Sequence, residues 1–185
     1  MSKQVFIGID IATENVRAIA IDIVGNLYGS SSEKLAPVIG GADKRLTQDP
    51  ASWIAGVSKV LTDLVAKCKA DGLIPKALCI SATSGTFVIT DSKGRPIAQA
   101  GMYNDGRAAS ILGRAERIIA EANQSGPYLL ANTPEFVIAH LAGVPLSEIA
   151  TDSSHSLKIG LDLASITWNQ NILDQAKSLN LTLPQ

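Results

Sequence analysis

Val5-Phe6-Ile7-Gly8-Ile9-Asp10 is an apolar run closed by a carboxylate, and Val16-Arg17-Ala18-Ile19-Ala20-Ile21-Asp22 is a second run of the same kind after a short polar break. Gly25-Asn26 signals a turn before a third run from Leu27 to Ser31. Three short strands joined by tight turns predict an antiparallel meander. Ser32 to Gln48 then changes to Gly, Pro and charge, the composition of a connecting loop. Asp49-Pro50 opens a helix, since Asp can cap free N–H groups and Pro is tolerated at the first helical position. Trp53, Val57, Val60, Leu61, Leu64 and Cys68 follow on one helical stripe that should stop near Asp71-Gly72.

Ala77-Leu78-Cys79-Ile80 reads as a short buried strand running into the small, polar stretch Ser81 to Thr86. Strand, turn and strand are expected at Phe87 to Thr90, Asp91 to Gly94 and Pro96 to Met102. Ala108, Ile111, Leu112, Ala115, Ile118, Ile119 and Ala122 share a helix face running to about Asn123. Beyond Ser125-Gly126-Pro127 the pattern weakens, with short helices expected at Phe136 to Leu141 and Ile172 to Leu179. This order of elements predicts one compact α/β domain.

Composition narrows the function. The 185 residues carry 16 Lys and Arg against 17 Asp and Glu, a net charge of −1, so no basic surplus exists for nucleic acid. At 46% hydrophobic residues and a mean hydropathy of +0.19, the chain can bury a core. No apolar run approaches the ~20 residues of a membrane span, and the expectation is a soluble, cytoplasmic protein with no membrane partner. Cys68 and Cys79 lack C-x-x-C spacing and a nearby His, so they read as two buried, reduced thiols. His140 reads as part of a helix face and His155 as a loop residue. Aromatic residues make up only 4%, which leaves polar groups and backbone to hold a ligand.

Two constellations carry chemistry. In Asp10-Ile11-Ala12-Thr13-Glu14-Asn15, a turn can offer backbone N–H groups and the Thr13 hydroxyl to a phosphate, and Asp10 can hold a hydrated magnesium ion. A strand-ending Asp in an ordinary hairpin turn accounts for the same fragment. The second constellation is Ser81-Ala82-Thr83-Ser84-Gly85-Thr86 together with Tyr103-Asn104-Asp105-Gly106-Arg107, donors and acceptors at strand ends that suit a polyol. A solvated loop whose Asp105 caps a helix beginning near Arg107 fits equally.

Taken in order, these pieces resemble the N-terminal domain of the FGGY carbohydrate kinases. The family's D-x-G-T-x-[ST]-x-R is matched by Asp10, Thr13 and Arg17, its D-x-x-G by Asp91 to Gly94, and its W-x-D-x-R by Tyr103 to Arg107. Thr151-Asp152 and His155 to Gly160 resemble its S-D-Y-x-N-A segment. The resemblance implies the ribonuclease-H-like fold of the actin and hexokinase ATPases, a mixed sheet with flanking helices. It also implies ATP and Mg2+ as cofactors. Asp10, Thr13 and Arg17 would serve phosphate and magnesium, with Asp10 the metal ligand. Thr83, Ser84, Gly85, Tyr103, Asn104, Asp105 and Arg107 would face the sugar, with His155 near that side.

The small group Thr83 to Thr86 looks closest to pentulose kinases of plants and cyanobacteria, which implies a ketopentose, xylulose or ribulose. Three departures accompany the match. Ala12 stands where the family has Gly, at a cost of about 1 kcal/mol if the position needs positive φ. A K-x-x-W-L helix is missing, as if residues were deleted near 124–130. Residues 1–185 would form an N-terminal lobe without the C-terminal lobe, in which the catalytic base is expected. Such a lobe is expected to be inactive by itself and to associate with that partner lobe, or with itself, through its exposed inter-lobe face. Ala12 and the deletion also support a second reading, a non-catalytic remnant that binds a sugar or a partner.

Overall fold

In the computed structural model, which describes residues 3–41 and 43–185, the opening alternation folds as expected into β1 (Lys3–Ile11), β2 (Asn15–Ile21) and β3 (Leu27–Lys34). There follow β4 (Ile39–Gly40), β5 (Leu46–Gln48), α1 (Pro50–Ala70), β6 (Leu73–Ala82), β7 (Phe87–Asp91), β8 (Ala100–Gly101) and α2 (Ile111–Ala122). The rest comprises β9 (Tyr128–Asn132), α3 (Thr133–Ala142), a 3-10 turn (Leu146–Glu148), α4 (Ser153–Ile159), β10 (Leu161–Asp162), β11 (Thr167–Trp168), α5 (Gln170–Ser178) and β12 (Leu181–Thr182). Among the described residues no helix is long and apolar enough to cross a membrane. The chain divides into two compact units, Met1–Pro37 with Ala51–Thr83 and Val38–Pro50 with Ser84–Gln185.

The first unit is a four-stranded sheet in the order β3-β2-β1-β6, antiparallel except that β6 runs parallel to β1. Period-2 alternation sends Val5, Ile7, Ile9, Ile11, Val16, Ala18 and Ala20 to one buried face. Trp53, Val57, Val60, Leu64 and Cys68 of α1 are buried in the same unit, each full burial contributing roughly 1.5–3 kcal/mol for a large apolar side chain. Pro50 occupies the first helical position, and Gly72 at φ +68 takes the left-handed conformation that ends the helix. Ala77 to Ile80 is not the buried strand expected. β6 is longer and lies at the sheet edge, so Leu78 and Cys79 are exposed, and of the two thiols only Cys68 is buried.

The second unit has a sheet in the order β12-β9-β7-β8-β5-β4. Its core gathers Phe87 and Ile89 of β7, Leu130 of β9 and the α2 stripe Ile111, Leu112, Ala115 and Ile118. Part of the expected 32–48 loop is strand: β3 continues to Lys34, and β4 and β5 pair as Ile39 with Thr47. The expected second arm of the hairpin shrinks to β8. Pro96 has no N–H to donate, and only an isolated bridge joins it to Thr90 before Phe87 meets Gly101. α2 starts at Ile111, where Ser110 Oγ accepts from Gly113 N at 3.0 Å, so Asp105 is not its cap. The helices expected near Phe136 and Ile172 are α3 and α5. His155 lies in α4, buried, rather than in a loop.

Candidate functional site

Asp10 ends the exposed face of β1, opposite Arg17 on β2 and Ser81 on β6. Alternation dictates this placement, because Ile9 and Ile11 on either side of it are committed to the core. Arg17 is in turn opposite Ser32 on β3, giving a polar row across the sheet. Arg17 Nη1 stands 3.6 Å from Asp10 Oδ2, and both side chains are more than half exposed. Ala12 N donates to Asn15 O at 3.0 Å, closing a hairpin turn with Thr13 inside it. Ala12 is not among the residues at positive φ, so its β-carbon carries none of the cost expected for replacing a glycine there. Thr83 N donates to Ile11 O at 3.4 Å, which brings Thr83 beside the end of β1. The result is a half-exposed carboxylate, a guanidinium and hydroxyls at the carboxyl ends of two parallel strands.

The second constellation lies in the other unit. Gly85 adopts φ +87, and Tyr103 packs beside it, 3.5 Å from where a β-carbon would stand. Thr86 Oγ1 accepts from Tyr103 N at 3.1 Å. Tyr103, at 49% exposure, and Asn104 face solvent, whereas Asp105 and Arg107 are buried. Arg107 Nη2 donates to Asp105 Oδ2 at 2.6 Å and Nε to both carboxylate oxygens, while Nη1 reaches Glu121 Oε2 at 3.0 Å. Burial works against the Arg107 charge, but the hydrogen bonds and field of Asp105 outweigh it and hold its pKa above the ordinary value. Asp105 and Arg107, expected to face a sugar, are therefore spent on each other, and they fix the loop that presents Tyr103 and Asn104.

Three supporting side chains escape the motif reading. Arg114 Nη1 donates to Met102 O at 2.6 Å and Tyr103 O at 3.1 Å, and its guanidinium lies 5.5 Å from the Phe87 ring centroid. Burial lowers its pKa, although Asp105 favours its charge. The available signal was a charged residue on the apolar stripe, three positions after Ile111 and one before Ala115. Arg45 and Glu121 extend the network, with Arg45 Nη2 at 3.2 Å from Glu121 Oε1. Neither stands near a motif.

His155, expected near a sugar, belongs to another cluster. Its Nδ1 is 2.6 Å from Asp152 Oδ2, and Asp152 caps α4 through His155 N. Among the described residues no group of three or more His, Cys, Asp or Glu is arranged to hold a metal ion. A cation at the first constellation would therefore have few protein ligands and would depend on water and ligand oxygens beside Asp10.

The model of the FGGY family of carbohydrate kinases, N-terminal domain, matches residues 5–129. A xylulose kinase of Staphylococcus epidermidis is 31% identical over 131 residues, 70% of this chain but 26% of that protein. The chain thus spans about a quarter of the length of that relative. Among solved structures, xylulose kinase from Rhodospirillum rubrum superposes with a TM-score of 0.80 at 17% identity, covering 96% of this chain and 42% of the other. Gluconate kinase from Lactobacillus acidophilus gives 0.77 at 20% identity, covering 98% and 41%. These likenesses carry the mixed-sheet fold of the sugar kinases.

Proposed function

The chain belongs to the FGGY family of carbohydrate kinases, and from that premise we propose that the whole protein transfers the γ-phosphoryl group of ATP to a hydroxyl of a small sugar, a ketopentose such as xylulose or ribulose. The observation that carries the reading is the row at the ends of β1 and β2, with Asp10 opposite Arg17 and Thr13 in the turn between them. Magnesium is commonly held by one or two carboxylates, its own waters and substrate phosphates, and a half-exposed Asp10 fits that role. When bound, the ion offsets the negative charge of the phosphates. Arg17 and the Thr13 hydroxyl supply complementary donors to phosphate oxygens.

On the sugar side, Thr83, Ser84, Gly85, Tyr103 and Asn104 present hydroxyl, amide and backbone groups, and Asp105 and Arg107 keep Tyr103 and Asn104 in place. We put the general base outside these residues, because Asp10 is committed to Arg17 and the cation, and Asp105 to Arg107. The base belongs in this reading to the family's C-terminal lobe. Preference for a ketopentose rests on the named sequence relative and on the small side chains of Thr83 to Thr86. The fold does not select a sugar, since a gluconate kinase shares it.

The test is sugar-dependent ADP release by the complete protein on a pentulose panel. Asp10→Ala should lower kcat by at least about 100-fold, the scale of removing one group that stabilises transition-state charge. Unchanged turnover would end the reading. Residues 1–185 alone should show no turnover and should sediment as a self-associating species at high concentration. A monomer under those conditions would remove the exposed inter-lobe face from this account.

A further inference from the structure

We propose that the cleft between the 91–96 turn and the C-terminal end of α3 is a second ligand site, one that takes a small molecule bearing a single anionic group on an apolar body, such as an aryl or short-chain carboxylate, sulfate or phosphate ester. The cleft encloses about 300 Å³, at the lower bound of the ~300–1,000 Å³ typical of small-ligand sites. Its apolar lining comes from Phe136 and Ala139 of α3 and from Val144 and Leu146 just beyond it. Lys93, Arg95 and His140 line it as well.

The charge balance favours an anion. Arg95 is held to Asp91 Oδ2, with Nε at 2.8 Å and Nη2 at 2.6 Å, so this pair is close to neutral. Among the described residues no carboxylate pairs with Lys93 or His140, and both side chains are exposed. Glu135 and Glu148, the acidic residues that flank this wall in sequence, do not line the cleft. At the end of α3, Ala139 O accepts from Gly143 N and from Val144 N.

The site is preformed. Asp91 Oδ1 accepts from Lys93 N at 2.9 Å and Arg95 N at 3.0 Å, and Gly94, at φ +75, donates to Asp91 O at 3.0 Å. A turn locked in this way needs no backbone ordering on binding, so only the exposed Lys93 side chain has to be immobilised. A sugar would find few hydrogen-bond partners on that lining, and an uncharged hydrocarbon would not use Lys93 and His140.

The probes are 1-anilinonaphthalene-8-sulfonate and its uncharged counterpart N-phenyl-1-naphthylamine, titrated by fluorescence into the complete protein. Lys93→Glu combined with His140→Glu should weaken one stoichiometric sulfonate site at least tenfold and change the affinity of the uncharged probe less than twofold. Val144→Trp, at an exposed position that tolerates bulk, should remove binding of both probes at that site. Unaltered sulfonate binding in the charge-reversed protein overturns the proposal, as does equal weakening of both probes. Release of the probe as protein concentration rises, with a dimer in sedimentation, would assign the cleft to a second copy and overturn it too.

Discussion

Arg107 and Asp105 form a buried ion pair. Their side chains are 4% and 0% exposed and bind each other. Arg107→Ala strands a buried carboxylate and should cost about 3–5 kcal/mol in urea denaturation. Asp105→Leu with Arg107→Met removes both charges and should cost distinctly less. Equal losses would place the energy in packing rather than in the ion pair. Glu135 makes the opposite kind of prediction. Its Oε1 accepts from Thr151 Oγ1 at 2.7 Å and its Oε2 from Asn132 N at 2.6 Å, yet burial outweighs both and raises its pKa. A carboxyl raised in the folded state contributes fully below its unfolded value of ~4.3 and loses that contribution as pH climbs through the folded value. Wild-type stability should therefore fall relative to Glu135→Gln as pH rises above about 4. A difference independent of pH would show that Glu135 does not titrate there. At this scale the polar types at the strand ends were legible, but which of them pair with one another was not, because Glu121 and Arg45 lie 14 and 62 residues from Arg107.

Among the elements, α1 was readable nearly to the residue, since it combines an apolar stripe with Pro50 at one end and Gly72 at the other. Its fit to the sheet was not. A β-carbon on Gly56 would stand 3.0 Å from Leu35 Cδ2 and 3.1 Å from Val16 Cγ2, so helix and sheet approach closely there. Gly56→Val should destabilise by roughly 1–3 kcal/mol through overpacking, read from the urea midpoint. A neutral result would mean that Leu35 yields at little cost. β4 and β5 escaped the sequence reading because strands of two and three residues carry no alternation to detect, and the second partner of β5, β8, lies far along the chain. The buried strand expected at 77–80 failed for a related reason. Apolar composition marks a strand, but its place at an edge is decided by what pairs beyond it.

Across the whole molecule the fold class was legible, from the meander, the α1 stripe and the hairpin taken in order. Division into two units was not, because the first unit is interrupted by residues 38–50, which belong to the second. The two thiols test the burial this produces. Cys68 is 1% exposed, and burial pushes its thiol pKa up, whereas Cys79 is exposed on β6. A thiol reagent should modify one cysteine per chain under native conditions and the second only in denaturant. Fast modification of both would contradict the packing of α1 on its sheet.

The parallel pairing of β1 with β6 also sets an order of events. Lys3 must meet Leu73 across seventy residues, whereas β1, β2 and β3 close through short turns. Contacts of long sequence separation carry the larger loop-closure penalty and tend to form late. On a ribosome the meander can assemble while β6 is still unmade, so the outer edge of β1, with Asp10 at its end, waits unpaired until residue 82 has emerged. Truncating the side chain of Ile80 should accordingly speed unfolding while leaving the folding rate almost unchanged.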